Sequence, residues 1–166
     1  KDDIFSSFWK DYGLDSITGS WDYIEPCLFG YATAKVIENF YEFYAKANDK
    51  IVAQFHEWMT GSGILYLKKH CPQIATAFTT HASVLGRCLA GNNMALYSSL
   101  QYYEGDNVAN QFNLRAKYSM EKLSALNADV FTTVSEITNA ECKQFFKKSA
   151  DVITPNGFEN DFVPKA

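Results

Sequence analysis

Short apolar runs that alternate with stretches of helical period constrain this chain more than any other feature. Ile51-Val52-Ala53-Gln54-Phe55 reads as a buried strand, closed by His56-Glu57-Trp58. A helix-period segment over 61–70 follows, apolar at Ile64, Leu65 and Leu67 and basic at its end. Residues 74–80 form a second strand-like run, closed by His81, and 83–90 a second helix carrying Val84, Leu85 and Leu89. The pattern then returns as a long helix over 107–127, with Leu114, Tyr118, Leu123 and Leu126 to one side. A β-branched strand over 129–134 comes next. Thr138-Asn139-Ala140-Glu141 has capping-box spacing and opens a helix through Phe145 and Phe146. A last short strand over 151–154 is stopped by Pro155-Asn156-Gly157. Strands alternating with helices predict βαβ units and a parallel sheet. Near-continuous apolar strands predict helices on both of its faces. The expected fold is therefore α/β and Rossmann-like, with right-handed crossovers.

Ahead of these units, 31–46 is a helix candidate, with Val36, Ile37, Phe40, Phe43 and Tyr44 at helical spacing. Residues 1–30 are aromatic and punctuated by Gly13, Gly19, Pro26 and Gly30, a composition that predicts loop. The chain has 166 residues, of which 16% are aromatic. That length suits one compact domain, and that aromatic content excludes disorder. A net charge of -4 lacks the basic face of a nucleic-acid binder. No apolar run nears the roughly 20 residues that span a bilayer. No signal peptide follows Lys1-Asp2-Asp3, and the start without Met predicts an excised piece of a longer protein. Cys27, Cys71, Cys88 and Cys142 lie far apart with no CxxC, predicting free buried thiols in a reducing, cytoplasmic setting.

In an open parallel sheet, ligands bind beyond the carboxyl ends of the strands. Four polar clusters fall there: His56-Glu57, His81, Ser135-Glu136 and Asn156-Gly157. Helix starts follow directly, offering N–H donors to an anionic or polyhydroxyl ligand. Arg87 is nearly two turns beyond His81 and reaches such a ligand only if its helix leans over the crevice. Each residue also has an ordinary role. His56 fits a core histidine beside Phe55 and Trp58, Glu57 a helix-start acid, Arg87 a surface ion pair, and Pro155-Asn156-Gly157 a common turn. His56, Glu57 and His81 could ligate a metal, but adjacent strand-end residues point apart and HExxH spacing is absent; no metal is expected. There is no GxSxG elbow. Gly61-Ser62-Gly63 resembles part of a phosphate loop but lacks the GKS and GxGxxG patterns.

The same clusters carry a family resemblance. Phe55-His56-Glu57-Trp58 with Gly61 resembles a block of the glycogen synthases of the animal and fungal type. Phe78-Thr79-Thr80-His81-Ala82 running on to Leu85-Gly86-Arg87 is similar to their next block. Residues Asp129 to Thr138 resemble a third and Pro155-Asn156-Gly157 a fourth, in matching order over 51–158. Phe29-Gly30-Tyr31 extends the likeness toward the start. Leu114 to Tyr118 follow the family's helix only in part. The family's opening strand with its glycine-rich loop has no counterpart in these residues.

The resemblance implies most of the N-terminal, acceptor-side domain of a GT-B glycosyltransferase. Two Rossmann-like domains would face a cleft and move glucose from UDP-glucose to the non-reducing end of an α-1,4-glucan, with retention. The donor-nucleotide domain is not in this chain, so the segment alone is expected to be inactive. His81 and Glu57 would be the catalytic pair, His81 near the reacting carbon; Arg87 would lie near the donor phosphate, with Asn156 and His56 as further substrate contacts. No cofactor is implied beyond the nucleotide-sugar donor and glucan acceptor. A domain lacking its first βα portion is also expected to self-associate through an open sheet edge. The alternative is a non-catalytic α/β module that binds carbohydrate or nucleotide.

Overall fold

Four strands pair in the order β1-β2-β3-β4, all parallel, in a computed structural model that describes residues 1–46 and 48–157. The resemblance noted above ends at Phe158, outside the described residues. The strands are β1 (Val52–His56), β2 (Ala75–Thr80), β3 (Val130–Thr133) and β4 (Val152–Ile153). Register places Phe55 beside Phe78 and Phe78 beside Phe131. The last two rings stack with centroids 5.9 Å apart, and this phenylalanine row is the spine of the core. Central β2 buries four of its six residues, whereas β1 alternates, burying only Ala53 and Phe55. That alternation is the signature of an edge strand with one face toward water. Among the described residues nothing pairs with the outer edge of β1.

The crossovers are helical, as a parallel sheet requires. Between β1 and β2 lie α3 (Glu57–Thr60) and α4 (Ser62–His70). Between β2 and β3 lie α5 (Val84–Gly91), α6 (Leu96–Ser99), a 3-10 turn, α7 (Gly105–Gln111) and α8 (Arg115–Asn127). The single helix expected over 107–127 is thus two, broken where Asn113 takes a left-handed φ of 55°. Its buried face also differs from the expected one: Ala116, Met120, Glu121, Ser124 and Ala125 face inward with Tyr118, while Leu126 is exposed. α9 (Glu136–Phe146) joins β3 to β4 and begins earlier than the Thr138 box suggests, because the Ser135 hydroxyl accepts the Thr138 N–H at 3.1 Å.

Within residues 1–30, only 13–20 form a loop. The segment contains α1 (Asp2–Tyr12) and the first half of α2 (Trp21–Tyr44). α1 has Asp2 and Asp3 in its first turn and ends on Gly13 at φ 71°, where the Gly13 N–H donates to the Trp9 carbonyl and the Leu14 N–H to the Phe8 carbonyl. Pro26 and Gly30 lie inside α2 rather than breaking it. Gly30 is there for close approach: a Cβ would sit 2.5 Å from Ser62 Oγ on α4, whose hydroxyl donates to the Cys27 carbonyl. Gly61 and Gly63 have the same cause. Their Cβ atoms would meet Ser124 Oγ at 2.1 Å and the Phe55 ring at 2.3 Å, so this stretch is a packing device and not a phosphate loop. Cys27, Cys71 and Cys142 are free and buried, and Cys88 is free and half-buried. Burial pushes the Cys27 thiol up to about 12.

Candidate functional site

β1 and β2 are neighbours in register, so the residues at their carboxyl ends meet. His56 is the last residue of β1, and its Nδ1 lies 3.0 Å from Nε2 of His81, which follows β2 directly. The two rings stack with centroids 5.3 Å apart. One proton shared between those nitrogens makes the pair a donor and an acceptor together. His56 is exposed, so the core-histidine role does not apply.

Glu57 takes a left-handed backbone, φ 63°, immediately after the strand. A glutamate in that region costs about 1–2 kcal/mol. The turn carries its carboxylate inward, where the side chain is only 13% exposed. Its Oε1 accepts the His81 backbone N–H at 3.2 Å and an Arg87 guanidinium N–H at 3.2 Å. Arg87 reaches this edge because α5 starts at the rim and its long side chain folds back over the first turn. The ion pair foreseen for Arg87 is therefore part of the cluster. His56, Glu57, His81 and Arg87 form one connected group at the carboxyl ends of β1 and β2.

Asn156 lies three residues beyond β4, whose carboxyl end is two strands, roughly 10 Å, along the sheet from that of β2. It is exposed and, among the described residues, shares no hydrogen bond with the other four. Among the described residues no three His, Cys, Asp or Glu side chains are grouped so as to hold a metal ion.

Behind the rim lies a polar layer absent from the sequence expectation. Gln54 donates to Thr79 Oγ1, which lies 2.8 Å from Thr132 Oγ1. Fully buried Glu121 of α8 accepts the Thr80 hydroxyl and the Val84 N–H, both at 2.9 Å. Burial pushes its carboxyl up to about 8. Glu141 of α9 accepts the Ser83 hydroxyl at 2.7 Å and the Tyr97 hydroxyl at 3.2 Å. The one signal for Glu121 was its place in the Tyr118, Glu121, Ser124 and Ala125 stripe, an acid at core spacing.

A four-stranded parallel α/β sheet flanked by helices, with imidazoles, a carboxylate and a guanidinium gathered on its carboxyl rim, defines a Rossmann-like domain. The glycogen synthase family model matches residues 2–163, and the chain belongs to that family. It is 42% identical over 137 residues to a glycogen [starch] synthase of Dictyostelium discoideum, covering 82% of this chain and 15% of that protein. To the liver glycogen [starch] synthase of Mus musculus it is 38% identical over 151 residues, 90% of this chain and 21% of the relative. To that of Caenorhabditis elegans it is 37% identical over 133 residues, 80% and 20% respectively. The chain thus spans about a fifth or less of the curated relatives it matches.

Proposed function

We propose that the protein containing this chain is a retaining glucosyltransferase of the glycogen synthase type, with this segment as most of its N-terminal, acceptor-side Rossmann-like domain. Glucose passes from UDP-glucose to the non-reducing end of an α-1,4-glucan. A second domain supplies most donor-nucleotide contacts, and this segment alone is inactive. No further cofactor or metal takes part, and the free cysteines fit a reducing, cytoplasmic setting.

The convergence of His56, Glu57, His81 and Arg87 on one rim is the observation that carries this reading. In the reaction the bond from the anomeric carbon to the donor phosphate oxygen breaks, and a bond to the acceptor hydroxyl oxygen forms on the same face. The acceptor proton goes to the departing phosphate oxygen, so no strongly basic side chain is needed. What this chain contributes is orientation and charge. The His81 imidazole hydrogen-bonds the transferring sugar. Arg87, restrained by Glu57, presents its guanidinium toward the departing phosphate. Glu57 fixes both, and His56 fixes the proton on the His81 ring. Asn156 meets the sugar hydroxyls from the far end of the rim.

In the full-length protein, His81→Ala abolishes glucosyl transfer while leaving thermal stability near that of the parent. Near-normal turnover sinks the proposal, and a parent that binds glucan or nucleotide without turnover supports a binding module instead. The open edge of β1, with Val52 65% exposed, supports self-association of the isolated chain, which light scattering reads directly.

A further inference from the structure

We propose that Glu121 is a positioning residue that sets the place of His81 on the rim; this rests on the functional reading above. The turn from His81 to Ser83 links β2 to α5 and carries the imidazole at its first position. Glu121 grips both sides of that turn with one carboxyl group. Its Oε1 takes the Thr80 hydroxyl just before His81, and its Oε2 takes the Val84 N–H just after Ser83, each at 2.9 Å. Val84 is the first residue of α5, so its N–H has no partner inside the helix. The Ser83 hydroxyl serves Gly86 instead, at 2.9 Å.

Three other contacts hold the same turn, and none replaces the grip. Glu57 of α3 takes the His81 N–H, Thr138 of α9 donates to the His81 carbonyl at 3.5 Å, and Glu141 takes the Ser83 hydroxyl. Glu57 and Arg87 sit at the ligand face and are free to exchange partners when an anion arrives. Glu121 is fully buried beneath them and has no such freedom. The ionisable groups around it are Glu57, Tyr118, Glu141 and Cys142, and among the described residues its hydrogen-bond donors are Thr80 and Val84. A buried acid costs more than an alanine or leucine would unless its acceptors are used. Here both are used, and both on the segment that aims His81.

Glutamine has the same shape as the protonated acid. Its carbonyl can accept the Val84 N–H, while its amide donates to a rotated Thr80 hydroxyl. Alanine removes both contacts, and aspartate is one methylene too short to span them.

The test uses the full-length protein with three variants, E121A, E121D and E121Q, read by steady-state kinetics per folded molecule and by amide hydrogen exchange. Loss of the grip in E121A lowers kcat about 10²-fold, the scale of an ångström-sized misplacement. The acceptor KM stays within about 2-fold, because only transition-state alignment is lost. E121Q recovers kcat to within about 3-fold of the parent, since its geometry is kept. Exchange at 81–86 rises in E121A and not in E121Q. A purely structural role would lower stability and leave kcat per folded molecule intact, and that result overturns the proposal. If E121A does not fold, E121D is read by the same criteria. If the full-length protein transfers no glucose at all, the functional reading fails on its own. The exchange contrast between E121A and E121Q then still decides whether Glu121 holds the turn, and equal exchange in the two overturns it.

Discussion

The two halves of the same sheet rim are built on different principles. At the β1–β2 end, every functional side chain is tied to another: His56 to His81, Glu57 to His81 and Arg87, with Glu121 and Glu141 locking the turn from behind. At the β3–β4 end, β4 contributes two residues, and Asn156 beyond it has no such ties among the described residues. The first half holds its geometry before any ligand arrives, at the cost of a left-handed glutamate and a buried acid. The second half shows, among the described residues, no comparable ties on its asparagine. Substitutions in the buried layer behind the β1–β2 end should therefore damage fold and chemistry together, whereas a change at Asn156 beyond β4 should separate them.

The largest effect is expected at Gly86. A Cβ there would fall 2.1 Å from Glu141 Oε2, 2.6 Å from its Cδ and 2.7 Å from Ser83 Oγ. Glu141 is itself buried and engaged by Ser83 and Tyr97, so moving it aside breaks those bonds. Gly86→Ala should cost about 3 kcal/mol by chemical denaturation, the upper range for overpacking. Gly91, at the other end of the same helix, has nothing within 4 Å of its Cβ position. Gly91→Ala should change stability by less than about 1 kcal/mol. Equal costs at the two glycines would mean that the β1–β2 end is not tightly built.

Next in size, taken per pH unit, is a pH effect from Glu121. Burial, opposed in part by its bonds from Val84 and Thr80, raises its carboxyl to about 8 from an ordinary 4.5. Between those values the folded chain keeps a proton that the unfolded chain has released. Its contribution is therefore fullest below about pH 4.5 and declines by ~1.4 kcal/mol per pH unit until it levels off near pH 8. Glu121→Gln removes the titration and keeps the shape, so the stability difference between variant and parent should widen in favour of the variant across that window. Parallel stability curves would show that the group does not titrate there. The acids lowered by surface lysines, Asp11, Asp22 and Asp129, lose their pairing only in more acidic solution and do not confuse the comparison.

Much of this contrast was legible in the sequence, for a physical reason. His56-Glu57 and His81 interrupt apolar strands, so polarity alone marks where β1 and β2 end, and parallel pairing then brings them together. Arg87 needed only the direction of its helix. Glu121 was hidden because an acid in a helix looks like a surface residue until its neighbours Ala125 and Ser124 are seen to face the core. The helical start of the chain was missed because its aromatic residues, Pro26 and Gly30 suggested irregular backbone. Yet Asp2-Asp3, the Phe5, Phe8 and Tyr12 spacing and Gly13 together form a start, a face and a stop. Gly30 was placed by a contact more than thirty residues away in sequence, with Ser62, and no local pattern reveals such a contact.

The smallest structural effect is expected at the other end of the rim. Asn156 is exposed and makes no bond to the His56–His81 group, so Asn156→Ala should leave stability within about 0.5 kcal/mol of the parent, as for surface substitutions generally. If Asn156 meets sugar hydroxyls as proposed, the same change lowers kcat/KM about 10-fold or more in the full-length protein, the loss of one or two hydrogen bonds to bound substrate. A variant that is both stable and fully active would confine the functional rim to β1 and β2. One that loses stability by more than 1 kcal/mol would show that the far end is held by contacts as firm as those around His81, and the difference between the two halves would disappear.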